Sequence, residues 1–99
     1  MSVRYIYNRA DIDMGAITSG TAKNVGSGDD FDRIKNLCPC EISLSAIVSS
    51  STMQGLTLAA ISGSKIKATG SGQQGTTAKS IALELAKVSG KLNAKATLS

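Results

Sequence analysis

Gly70-Ser71-Gly72-Gln73-Gln74-Gly75 has the spacing G-x-G-x-x-G. In that arrangement backbone N–H groups and a following helix N-terminus can hold a phosphate. An alternating stretch, Lys65-Ile66-Lys67-Ala68-Thr69, precedes it and a helical pattern follows it, which is the strand, loop and helix order of such sites. Gly70, Gly72 and Gly75 would form the cradle, with Thr76 and Lys79 adding a hydroxyl and a charge. Two departures weaken a nucleotide reading. Lys91 to Lys95 occupy the region where a ribose-binding acid would stand, and Thr76 occupies the place of the P-loop lysine. A flexible strand-to-helix connection is the plainer expectation for this loop.

The second group of candidates is cationic. Residues 1–40 hold five basic and five acidic side chains, whereas residues 41–99 hold six lysines against Glu41 and Glu84. The whole net charge of +4 therefore lies in the second part. Lys65 and Lys67 alternate with Ile66 and Ala68, and Lys91 and Lys95 alternate with Leu92, Ala94, Ala96 and Leu98. In two strands of one sheet these four lysines share a face. Lys65, Lys67, Lys91 and Lys95 are thus candidate nucleic-acid-binding residues. Lysine without arginine suits diffuse attraction to phosphates rather than bidentate reading of bases. The bland alternative is a charge that keeps the domain soluble.

Other chemistry is sparse. The chain has no histidine, so neither a triad nor a histidine-based acid–base pair can be assembled. Cys38-Pro39-Cys40 is tighter than the usual zinc half-site, and there are no further cysteines. Free thiols are expected, with redox activity or an intersubunit bridge as alternatives. Asp11 and Asp13 lack the alternating oxygen donors of a calcium loop. The acids at Asp29, Asp30 and Asp32 fit the first turn of a helix better than acid–base chemistry. No catalytic residue, metal site or cofactor is expected, and the chain reads as a non-enzyme.

The elements that would position these residues form an α/β (α+β) fold: a small two-layer mixed sheet with a C-terminal β-α-β unit. Its parts are strand 65–69, helix 76–89 and strand 91–98. At 100° per residue Ala78, Ile81, Ala82, Leu85 and Val88 make one apolar side. Thr76 or Thr77 can cap the first turn, and Gly90 can end the last. A strand–helix–strand order implies parallel strands joined by a right-handed crossover, with the helix on the face of Ile66, Ala68 and Leu92. Leu83 would then lie among polar side chains, a hint of an interface.

Residues 1–99 read as a single domain, with 1–40 supplying a strand, an irregular loop and a short helix, and 41–99 the sheet and main helix. Val3–Tyr7 reads as a strand with Val3, Tyr5 and Tyr7 on one face, where the tyrosines are core or interface rather than base-stacking residues. Residues 11–28 read as a loop with a short strand near 16–18. Residues 29–37 read as a helix and residues 41–48 as a strand. Residues 53–62 fit either type, with strand preferred. With a helix there, the order β-α-β-α-β together with EISLSA, KIKATGSG and AKSIALEL resembles the Alba-type chromatin proteins and the related small sporulation domain. With three aromatic residues in all, the core must be small and aliphatic, so homo-oligomerisation is a natural supplement. No apolar run is long enough to span a bilayer and no leader pattern opens the chain. A cytoplasmic protein or a virion component is expected, without membrane association. The leading expectation is a non-catalytic module that binds an anionic partner, most plausibly nucleic acid, through its lysine face. The alternatives are a self-assembling virion or filament subunit and, third, phosphate or nucleotide binding at Gly70–Gly75.

Overall fold

The computed structural model describes residues 2–99. Its elements in chain order are β1 (Ser2–Ile6), β2 (Arg9–Ile17), β3 (Ala22–Ser27), α1 (Gly28–Leu37), β4 (Cys40–Val48), β5 (Ser51–Ser62), β6 (Lys65–Gln74), β7 (Thr77–Val88) and β8 (Lys91–Leu98). All eight strands belong to one sheet, in the order β1-β2-β4-β5-β6-β7-β8-β3, coiled into a nearly closed barrel. Strands hold 72% of the residues and helix 10%. The two-layer α/β expectation is therefore overturned: the fold is essentially all-β.

The decisive correction is residues 76–89, which form no helix. Gly75 and Thr76 make a two-residue turn, and β7 runs from Thr77 to Val88. Within it Ile81, Leu83 and Leu85 point inward and are buried, while Ala82, Glu84 and Ala86 point outward. Ala, Leu, Glu and Lys favour helices, but β7 has a sheet neighbour on each side, β6 and β8. Pairing along both edges outweighs the propensity, which is a weak prior. Leu83, the expected exposed interface residue, is 2% exposed and part of the core. Strands β6 and β8 are not parallel neighbours, since each pairs antiparallel with β7.

From Cys40 to Leu98 the chain is a five-stranded meander, β4 to β8. Its four turns are Ser49-Ser50, Gly63-Ser64, Gly75-Thr76 and Ser89-Gly90. Ser89 and Gly90 both have positive φ, 51° and 74°, as the twist of a two-residue hairpin requires. Residues 53–62 lie within β5, so the helix that the Alba-type order needs does not form. The one parallel pair is β2 with β4, and the chain between them passes through β3 and α1. Residues 11–28, expected to be mostly loop, carry most of β2 and all of β3. Ala10, Ile12 and Met14 alternate inward, until a register shift after Asp13, where Gly15 takes a φ of 67°, interrupts the pattern.

The barrel interior holds the core. Ile12, Met14, Ile42, Leu44, Met53, Ile66, Leu85 and Leu92 are fully buried. The buried Thr57 hydroxyl donates to the Ile42 carbonyl at 2.9 Å, so it adds no unmet polar group. Helix α1 starts one residue earlier than expected and contributes Phe31 and Ile34 to this core. Burying each such side chain is worth about 1.5–3 kcal/mol. Ser27 caps the helix: its hydroxyl accepts from the Asp30 N–H at 3.3 Å, and the Asp30 carboxylate accepts from the Ser27 N–H at 3.0 Å. The Gly28 N–H donates to the Gly90 carbonyl at 2.8 Å, which ties the helix start to the β7–β8 turn.

The sheet does not close by a backbone ladder. Strands β1 and β3 are its edges, and side chains bridge the seam. Lys23 on β3 donates to the carbonyls of Met14 and Ala16 on β2, at 2.8 and 2.9 Å. Tyr5 on β1 donates to the Asp30 carboxylate at 2.7 Å, and the Arg33 guanidinium lies 3.8 Å from the centre of its ring. Tyr5 is thus half-buried structure. Tyr7 leaves the strand altogether: it sits in the β1–β2 turn with positive φ and is almost wholly exposed.

Candidate anion-binding face

Because β6 and β8 flank β7, alternation sends Lys65 and Lys67 of β6, Glu84 of β7, and Lys91 and Lys95 of β8 to the barrel exterior. The residues between them, Ile66, Ala68, Leu83, Leu85, Leu92 and Ala94, fill the interior. Lys67, Glu84 and Lys95 are paired residues in successive strands and form one row across the sheet. Neighbouring strands lie about 4.8 Å apart, so the two lysines of that row stand roughly 10 Å from each other. The Lys65 ammonium donates to Glu84 Oε1 at 3.1 Å, and the Lys95 ammonium is 4.0 Å from the same oxygen. Lys65, Lys67 and Lys95 surround one carboxylate and Lys91 lies further along β8, which leaves a net charge of +3 on the face.

The next row toward the other end is Thr69, Ala82 and Thr97. The small Ala82 side chain between two threonines leaves a shallow groove, lined also by Lys67, Glu84 and Lys95. Two ammonium groups and two hydroxyls along one groove are donors suited to phosphate oxygens. The hydrogen bond from Lys65 is the largest influence, and with the charges of Lys65, Lys95 and Lys67 it outweighs desolvation and lowers the Glu84 pKa below its ordinary value. Glu84 is therefore ionised at neutral pH and holds Lys65 and Lys95 in place.

The glycine loop has a different fate. Gly70 and Gly72 lie within β6, Gly75 and Thr76 form the β6–β7 turn, and Lys79 is on β7 opposite Gly72. No helix N-terminus stands behind them, so the geometry that would hold a phosphate there is missing. The glycines serve the coiling of the sheet instead. A Cβ on Gly70 would run into the Leu56 carbonyl oxygen and lie 2.7 Å from Thr57 Cα. One on Gly72 would meet the Gln54 carbonyl and lie 2.6 Å from Gly55 Cα. Strands β5 and β6 approach so closely that only hydrogen fits.

Cys38 is half-buried, Cys40 is buried, and both are free thiols. Burial first, and then the neighbouring Cys38, push the Cys40 pKa up to about 11, so it is a protonated thiol at neutral pH. Asp11 is held by Arg9 at 2.9 Å, and Asp13 accepts from the Gly15 N–H at 3.0 Å. Among the described residues no group of three or more His, Cys, Asp or Glu is placed to hold a metal. No described helix is long and apolar enough to cross a membrane.

Sequence reasoning named the four lysines but missed Thr69, Ala82, Glu84 and Thr97. Treating 81–85 as a strand would have supplied Ala82 and Glu84, since its period of two was present beside the helical one. Comparison with known proteins finds no match: no family model, no curated protein and no solved structure.

Proposed function

We propose that this chain is a non-catalytic binding module that takes a polyanion, nucleic acid above all, on the outer face of β6, β7 and β8. The observation that carries this reading is the row Lys67–Glu84–Lys95 beside the threonine-lined groove, extended by Lys65 and Lys91. Phosphate contacts from lysines give affinity without sequence selectivity. Nothing on this face offers an aromatic platform for unstacked bases, so the reading is backbone binding and not base recognition. The test is titration of labelled duplex and single-stranded DNA with the protein, followed by fluorescence anisotropy at low salt. The wild type is expected to bind, and the variant carrying Lys65, Lys67, Lys91 and Lys95 all as Gln is expected to lose binding. Equal binding by the two proteins would move the site elsewhere. A second reading, a self-assembling structural subunit, draws on the unpaired edges of β1 and β3 and on the exposed leucines of β5.

A further inference from the structure

The outer side of β5 is apolar where its neighbours are polar. Leu56 and Leu58 point outward and are 48% and 69% exposed, with exposed Ala60 next in line. On the β4 side Leu58 pairs with Glu41 and Leu56 with Ser43; on the β6 side Leu58 pairs with Thr69 and Ala60 with Lys67. Glu41 and Lys67 thus stand on opposite flanks of the stripe, each about 5 Å from its centre line and two residues, about 7 Å, apart along it. Neither makes an ion pair among the described residues. An apolar strip between an unpaired acid and an unpaired base is self-complementary for one orientation.

We infer that the β5 stripe is a homodimer seam, in which a second copy of this chain packs face to face about a two-fold axis running along β5. That rotation places Leu56 and Leu58 against their own copies. It also carries Glu41 of each protomer to the flank that holds Lys67 of the other, over Thr69 and two residues along from Lys67, a distance the long lysine side chain spans, so the contact is isologous with two equivalent ion pairs. A two-fold axis across the strands would instead set Glu41 near Glu41 and Lys67 near Lys67, so the charges choose the first arrangement. In the pair, Lys67 turns to the seam, while Lys91 and Lys95, two strands further round, stay outside it. The inference does not rest on polyanion binding, because its test contains no nucleic acid.

Sedimentation equilibrium reads it. The wild type should sediment at twice the 10.1 kDa chain mass. Leu58→Asp should raise the dimer Kd at least about a hundred-fold, with an unchanged circular dichroism spectrum because the side chain points away from the core. Glu41→Lys and Lys67→Glu should each raise Kd about tenfold, and the double reversal should restore it toward the wild-type value. A wild-type monomer at roughly 100 µM, a weaker contact than a standard-size interface gives, would overturn the inference. So would a Leu58→Asp dimer of unchanged affinity, or a double reversal that is additive rather than restoring.

Discussion

Glu84 decides how the lysine face works. It is the one carboxylate beside Lys65, Lys67 and Lys95, and Lys65 and Lys95 both turn toward it. A polyanion must compete with it for those ammonium groups. Glu84→Gln is therefore expected to tighten binding to duplex DNA about fivefold at low salt, through one more free positive charge. Weaker binding would mean instead that the carboxylate serves by holding the lysines in position. Asp30 matters at the same scale for stability. Burial pushes its pKa up, but the Ser27 N–H, the Tyr5 and Ser27 hydroxyls and the Arg33 charge outweigh that, and its pKa falls below the ordinary 3.8. The sign follows from linkage: a depressed carboxylate contributes fully above its unfolded pKa, and the contribution fades as pH drops through the folded value. Denaturant midpoints of the wild type should thus fall below about pH 4. Asp30→Ala should be less stable at neutral pH by about 1 kcal/mol and should show a shallower acid slope. An unchanged slope would remove Asp30 from the acid response.

At the scale of elements, the glycines of β6 are the sharpest test of the fold. Gly70 faces backbone atoms of β5 that cannot swing aside, so Gly70→Ala should destabilise the protein by about 1–3 kcal/mol in urea unfolding. A neutral result would contradict the close approach of β5 and β6. The same glycines show why the sequence was hard to read here. A G-x-G-x-x-G spacing carries no mark that separates a phosphate cradle from a tightly coiled strand. The segment after it, Thr77–Val88, satisfies a helical stripe through Ala78, Ile81, Ala82, Leu85 and Val88 and a strand alternation through Ile81, Leu83 and Leu85. Leu83 separates the two, because only the strand buries it. Strands with one uninterrupted alternation, such as 41–48 and 91–98, were legible, as was the capped helix near 29–37. Strands β2 and β3 were not, because Gly15 and the turn around Gly20 break their pattern just where the sheet is irregular. The two pairs of face-sharing lysines were legible because each depends only on local alternation within β6 or β8, whatever joins them.

For the whole molecule, a curled sheet with small inward side chains leaves its exterior divided by strand. Polar and acidic groups lie on β2 and β4, the apolar stripe on β5, and the lysines on β6 and β8. That division lets one surface meet a second copy and another meet an anion, with Lys67 on the border between the two. The measurement that goes straight to the central claim is the salt dependence of duplex DNA binding by the wild-type protein. About four lysine–phosphate contacts give a loss of affinity of roughly a hundred-fold between 50 and 200 mM salt. That slope should flatten in the variant with all four lysines replaced by Gln. Wild-type binding that is undetectable at 50 mM salt, or a slope that survives removal of the four lysines, would contradict the assignment of this face.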